Sequence, residues 1–287
     1  MSAIFKREFG NYFCSFIGYA FLTIFVLITA IYFSLYNVLS LSPDYHLILS
    51  NVVIVLLILV PIITMRLFSE ESKQKTDQLL LTAPVKVYEI VLAKFFAASA
   101  LFAMGLIITL IFPIILSFFG NVPTGQIISA YVGFFFMGMC FIAVGIWVSS
   151  LTDNQVVAGI GTFGILFVLF MIEAIGKGVP EGRNYGCGLA ILICIIIGLF
   201  VYNSVNNIKY SVISGGVFFV IGLIVFFVKP EFYDTFLYNF VMSFAVISKF
   251  SKFMLGIFDF TTIVYYITFA AGFIYLTVRS VDKKRWS

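Results

Sequence analysis

Met65–Lys94 reads MRLFSEESKQKTDQLLLTAPVKVYEIVLAK, the only long and densely charged interval in a 287-residue chain that is 62% hydrophobic and 10% charged. Such an interval between apolar runs works in water while its flanks address lipid, and that contrast decides the fold class. Ser69 reads as the N-cap of a helix whose first turn carries Glu70 and Glu71, where negative charge meets the positive end of the helix dipole. Glu71 and Lys75 stand four apart, as do Lys73 and Asp77. Each such pair adds only ~0.2–0.5 kcal/mol on an exposed face. Leu79, Leu80 and Leu81 tip the helix, and Thr82-Ala83-Pro84 ends it, because the residue before a proline is pushed out of the α region. Two readings of this short amphipathic helix stand side by side. It rests on lipid headgroups with its leucines in the acyl boundary, or it is a docking peg for a soluble partner.

A mean hydropathy of +1.13 puts far more apolar surface in the chain than one water-soluble core could hide. The fold class is therefore an all-α polytopic membrane protein. The net charge of +4 is small, and the basic residues flank hydrophobic runs, so they report orientation and give no sign of nucleic-acid binding. Cys14, Cys140, Cys187 and Cys194 lie in or beside apolar segments without CxxC spacing, which indicates neither a disulfide framework nor a zinc site.

Working outward, residues 3–15 mix aromatics with Lys6, Arg7 and Glu8, as an interfacial helix entering the first span does. Phe16 to Tyr36 is the first span, and Ile48 to Met65 the second, with Pro61 near its inner end. Val87 to Phe119 exceeds one bilayer, so its first turns, with Glu89 and Lys94, are expected to project into water, and Pro113 to bend its far part. Ile127 to Val148 carries Gly138 and Gly145 seven apart, a small-residue stripe that permits close helix approach. Val156 to Ile175 follows, with Glu173 near its end, read either as a headgroup-level acid or as part of a gate. Leu189 to Tyr202 and Val212 to Val228 form two spans or one re-entrant hairpin, residues 229–260 an interrupted amphipathic region, and Thr261 to Val278 the last span. The total is six to eight transmembrane helices. With the N-terminus inside, twelve of the 17 Lys and Arg fall on the inner side, which places both termini and the Glu70–Leu81 helix in the cytoplasm of a cell-membrane protein.

No GxxxxGK[ST] loop occurs, the single histidine, His46, sits in an expected outer loop, and no paired carboxylates suggest hydrolysis. A conduit powered by another polypeptide fits this lack of catalytic material. An ion-gradient-driven secondary transporter or channel would want several midplane ionisable groups, where this chain offers Glu173 alone. A lipid-metabolising enzyme would want clustered Asp, His or Arg at a membrane face.

The run MRLFSEESKQKTDQLLLTAP, followed by EIVLAKF, SSLTDNQ and the ending TVRSVDKKRW, resembles the type-2 ABC exporter permeases, and most closely their gliding-motility and NosY-like branch. The resemblance extends over most of the chain, less clearly over Leu189 to Val228, and departs at Lys75-Thr76, where the family often has Gly-Thr. It implies an elbow helix at residues 3–15, a coupling helix at Glu70 to Leu81 seated in a cleft of the ATP-binding subunit, and outer re-entrant helices at 229–260. It further implies ATPase-subunit contacts at Glu70, Glu71, Lys75, Asp77, Leu79 and Leu80, and a translocation route past Pro61 and Glu173. No cofactor is expected in this chain, since ATP and Mg belong to the partner subunit. The other expected partners are a second permease copy or a related permease, auxiliary membrane subunits, and the lipid bilayer.

Overall fold

The computed structural model describes residues 1–75, 85–178 and 235–286, with single positions between 182 and 233, and those residues are helical without strands. In order they form α1 (Ser2–Cys14), α2 (Phe16–Phe33, continued by a π-helical turn at Ser34–Val38), α3 (His46–Thr64) and α4 (Ser69–Lys73). Then come α5 (Val87–Thr109), α6 (Ile111–Ser117), α7 (Thr124–Leu151) and α8 (Gln155–Gly178). The last three are α9 (Phe236–Ser243), α10 (Phe250–Met254) and α11 (Phe260–Trp286). Among the described residues, six stretches are long and apolar enough to cross a membrane: Phe16–Val38, His46–Lys73, Val87–Ser117, Thr124–Leu151, Gln155–Gly178 and Phe260–Lys284. The two runs between 189 and 228 lie outside the described residues. His46, read above as loop, opens α3.

The chain divides into two compact units, one of residues 1–168 with 246–287 and one of residues 169–245. In the first, α7 is the centre, and α3, α5, α10 and α11 all pack on it. Its glycines explain how. Gly138 lies against the Phe102 ring of α5, Gly145 against the Thr64 side chain of α3, and Gly133 against Phe253 of α10, so each large neighbour occupies the space a Cβ would take. Aromatic rings continue the contact across the unit: Phe25 meets Phe102 at 6.1 Å, Phe102 meets Phe134 at 5.9 Å, and Phe134 meets Phe250 at 5.8 Å. Helix α1 lies across α5 and α2.

At the end of the unit away from α4, the long third run is broken between Thr109 and Ile111. Pro113 has no N–H to offer the Thr109 carbonyl four residues back. That carbonyl instead accepts the Tyr45 hydroxyl at 3.4 Å, and the Tyr131 hydroxyl reaches both Tyr45 Oη (3.1 Å) and Thr109 Oγ1 (3.2 Å). At the α4 end, Ser72 donates to Asp153 Oδ1 at 2.5 Å and Lys284 to the same oxygen at 3.2 Å, tying α4, the α7–α8 turn and α11 together. These two donors hold the Asp153 carboxyl below its ordinary value of 3.8, the Ser72 hydrogen bond first.

In the second unit, the final turns of α8 carry a Glu173–Lys177 ion pair at 2.9 Å, and Gly176 lies against Met242 of α9. Neither α9 nor α10 is long enough to cross a bilayer, in keeping with the interrupted pattern read over 229–260.

Gly138→Ala forces a methyl into the Phe102 ring and should lower stability by about 1–3 kcal/mol, whereas Gly164→Ala, with open space around it, should leave the thermal midpoint in detergent unchanged. A depressed carboxyl contributes stability above its unfolded-state value and loses it as pH falls through the folded one. The Ser72–Asp153–Lys284 tie should therefore hold from neutral pH to about 3.8 and loosen only below. Spin labels at Lys73→Cys and Lys283→Cys should report a constant separation over that range, and a broadened one at neutral pH in Asp153→Asn; broadening of the parent near neutral pH would contradict the assignment.

Candidate functional site

Helix α3 ends at Thr64, and a helix C-terminus leaves its last carbonyls without intrahelical donors. Side chains from three other helices take those of α3 and the turn after it. The Tyr12 hydroxyl of α1 donates to Ile63 O at 3.0 Å, Ser149 of α7 donates to Met65 O at 3.1 Å, and Lys94 Nζ of α5 donates to Leu67 O at 2.7 Å. Burial, with the Glu8 charge second, pushes the Tyr12 phenol well above its ordinary value, so it stays a donor. A cation at this end is also favoured by the helix dipole.

The start of α4 is capped across the fold. Ser149 Oγ accepts the backbone N–H of Phe68 at 3.1 Å and of Ser69 at 3.2 Å, while the Ser69 hydroxyl donates back to Met65 O. Ser69 is therefore the first residue of α4, not its N-cap, which is Phe68. Glu70 and Glu71 do occupy the first turn. Glu70 grips Arg66 in a two-pronged contact, Nε to Oε2 at 2.5 Å and Nη2 to Oε1 at 2.8 Å.

Glu71 belongs to a closed ring of alternating charge drawn from three helices. Arg7 Nη2 lies 2.5 Å from Glu8 Oε1 and 2.9 Å from Glu71 Oε1, and Lys94 Nζ lies 2.9 Å from Glu71 Oε2 and 3.4 Å from Glu8 Oε1. Burial alone would lower the Arg7 guanidinium, but hydrogen bonding and charge from Glu8, then Glu71, outweigh it and raise it. Lys94 is fully buried, and its ammonium also stands 5.1 Å from the Phe68 ring centroid. Taking an ammonium out of water costs several kcal/mol, so it needs more than one partner. Two carboxylates and a carbonyl supply them.

Lys94 thus corrects the expectation that the first turns of this span stand in water. It lies on the buried stripe of α5 with Val87, Ile90, Val91, Ala97, Ala98 and Leu101. Those residues share one helical face, and that spacing was the available signal. Arg7 and Glu8 were likewise named only as part of an interfacial helix; the sequence spacing gives no sign of a contact between residues 64 apart such as Arg7 and Glu71.

The other expected site residues fall as follows. Lys75 is exposed and does not pair with Glu71 four residues back; α4 stops at Lys73, and Lys75 takes a positive φ of 56°. That backbone region favours glycine, the residue often found at this position in the permeases the sequence resembles. Asp77, Leu79 and Leu80 lie outside the described residues. Pro61 is buried within α3, and Glu173 is half-exposed on Lys177 in the other unit. Among the described residues no group of three or more His, Cys, Asp or Glu could hold a metal ion.

The Arg7–Glu8–Lys94–Glu71 ring therefore ties a polar segment between two spans to the N-terminal helix and to the next span, while Ser149 and Asp153 tie it to α7 and α11. Comparison with curated proteins gives no match. Residues 44–186, which hold the whole of this segment and both flanking spans, match the family described as ABC-2 family transporter protein. With six membrane-length apolar helices among the described residues, the chain is a multi-pass transmembrane permease of the ABC-2 transporter type.

Proposed function

We propose that this permease is the membrane half of an ATP-driven exporter, pairing with a second permease copy or a related permease and coupled through α4 and the residues after it to a separate ATP-binding subunit. ATP and Mg are then the partner's ligands, and this chain is not an enzyme. The observation that carries the reading is the charge ring. A polar segment that only rested on headgroups would not need a buried lysine, two carboxylates and an arginine to fasten it to neighbouring helices.

Charge supports the orientation. The α4 end of the first unit carries Lys6, Arg7, Arg66, Lys73, Lys75, Lys86, Lys94, Arg279, Lys283 and Lys284, and the opposite end carries Lys249 and Lys252. The excess of basic residues supports a cytoplasmic α4 end, together with both termini. Glu70, Glu71, Lys75, Asp77, Leu79 and Leu80 then form the contact with the ATPase, α1 is the elbow helix, and α9 with α10 occupies the outer side. Helices α3 and α8, with Pro61 and Glu173, border the translocation route. Exposed Val156, Ile160 and Phe163 give α8 an apolar face suited to the second copy.

Mechanically, closure of the ATP-binding subunits displaces α4. Glu71 passes that displacement to α1 through Arg7 and to α5 through Lys94, while Ser72 and Ser149 pass it to α11 and α7. Such a displacement shifts an equilibrium only where the two states differ in contacts. The ring supplies contacts able to differ.

Glu71→Gln keeps the side-chain shape but removes a charge facing both Arg7 and Lys94. Weakening two charge-assisted hydrogen bonds should cut permease-stimulated ATP hydrolysis in proteoliposomes roughly tenfold, while the ATPase subunit still co-purifies. Leu80→Asp should abolish that co-purification and leave the permease in the membrane. Full ATP-dependent transport by Leu80→Asp would overturn the docking assignment, and transport by the purified chain without ATP would instead favour a gradient-driven carrier.

Lys94→Met strands the buried Glu8 with Arg7 alone and should destabilise the fold by about 3 kcal/mol. Adding Glu8→Gln should recover a good part of that loss in a double-mutant cycle followed by thermal unfolding. Strict additivity of the two changes would show that the pair does not act as a unit.

A further inference from the structure

The charge ring forms one wall of a cavity of about 480 Å³ between α1 and the α3–α4 connection. That volume suits a small ligand or a headgroup. Its lining is graded: Cys14, Ser15, Ile17 and Ile63 lie where α1 turns into the first span and α3 leaves the second, whereas Arg7, Glu8, Asn11, Arg66 and Glu70 form the polar end. A cavity that passes from apolar to charged where two spans end fits an amphiphile with its polar group toward α4 and its chains toward the spans.

Charge narrows the class. The lining holds three cations, Arg7, Arg66 and Lys94, and three carboxylates, Glu8, Glu70 and Glu71. Both guanidiniums use Nε and Nη2 on carboxylates and leave Nη1 without a hydrogen bond. The Asn11 side-chain amide, exposed beside them, has none either. These are donors for a phosphate. On the other side, Glu8 is 6% exposed and engages Arg7 and Lys94 through Oε1 alone. Its Oε2 takes no hydrogen bond, and Glu8 lines the cavity. A buried carboxylate oxygen with no donor at a cavity wall fits a primary ammonium.

We infer that the cavity binds the headgroup of an aminophospholipid of the phosphatidylethanolamine type, its phosphate on the free Nη1 donors of Arg7 and Arg66 and its ammonium on Glu8 Oε2. A purely anionic headgroup would satisfy the guanidiniums but place a second negative group near Glu8. A choline headgroup has no N–H to give that oxygen. The site stands on the cavity's geometry and is independent of the ATPase-docking reading.

The test is native mass spectrometry of the delipidated full-length chain in detergent, titrated separately with dioleoyl phosphatidylethanolamine, phosphatidylglycerol, phosphatidylcholine and inorganic phosphate. The ethanolamine lipid should be retained about tenfold better than the other two lipids, the size of one charge-assisted hydrogen bond, and free phosphate should not compete. Glu8→Gln should remove the preference for ethanolamine over choline. Arg66→Gln should weaken retention of all three lipids. Cys14→Trp, which fills the cavity beside the ring and changes no charge, should abolish retention while leaving the thermal midpoint near that of the parent, so that loss of binding is not loss of fold. Equal retention of the glycerol or choline lipid, competition by free phosphate, or full retention in Cys14→Trp would each overturn the assignment.

Discussion

The structure depends on one costly placement, an ammonium with no access to water. Lys94 sits on the core face of α5 and must find compensating charge within reach. The groups it finds belong to two stretches far apart in sequence, Glu8 in one and the Leu67 carbonyl with Glu71 in the other. Satisfying one lysine therefore sets where the N-terminal helix lies, where the second span ends and where α4 begins. The open carbonyls at the end of α3 would need donors in any fold. Here Tyr12, Ser149 and Lys94 supply them, so the requirement of a helix terminus and the requirement of a buried cation are met at one place.

Much of the fold was legible because apolar length is a strong signal. The spans read from hydropathy that fall within the described residues recur as helices whose ends shift by a turn or less in most cases, and Gly138 and Gly145 meet large neighbours as their spacing implies. The break near Pro113 follows from a missing N–H. The candidate site was legible only in part. Glu70 and Glu71 were placed in a first turn from local rules, and they are there, but the partner of Glu71 was sought four residues on, at Lys75. Local pairing is worth a few tenths of a kcal/mol in water, while a desolvated lysine claims a carboxylate far more strongly. The tertiary demand took Glu71 from Lys75. Ser69 lost its expected cap to Ser149 for a related reason: a hydroxyl from α7, 80 residues away, reaches both N–H groups at once.

The end of α4 follows from its own residues and those ties together. Five residues are too few to hold a helix unaided, since nucleation is unfavourable and each added bond repays little. The segment is helical because Ser149 fixes its start and Glu71 fixes one face. Beyond Lys73 those ties stop, and Lys75 enters the positive-φ region at a cost that a glycine would not bear. A lysine retained there adds a charge at the exposed tip of the segment, where the proposed ATPase contact would meet it.

A transmitting element must be stiff toward the helices it moves and free toward whatever moves it. The ring and the Ser149 bridge give α4 the first property, because Glu71 engages α1 and α5 through different oxygens and cannot follow one without pulling the other. The second property lies at the end of the same short helix and just past it, where Lys73, Gln74 and Lys75 are exposed. A longer, self-sufficient helix could shift as a rigid rod and slide past its neighbours. A helix whose existence depends on its attachments cannot move without loading them, so any displacement of α4 would be felt by α1, α5, α7 and α11.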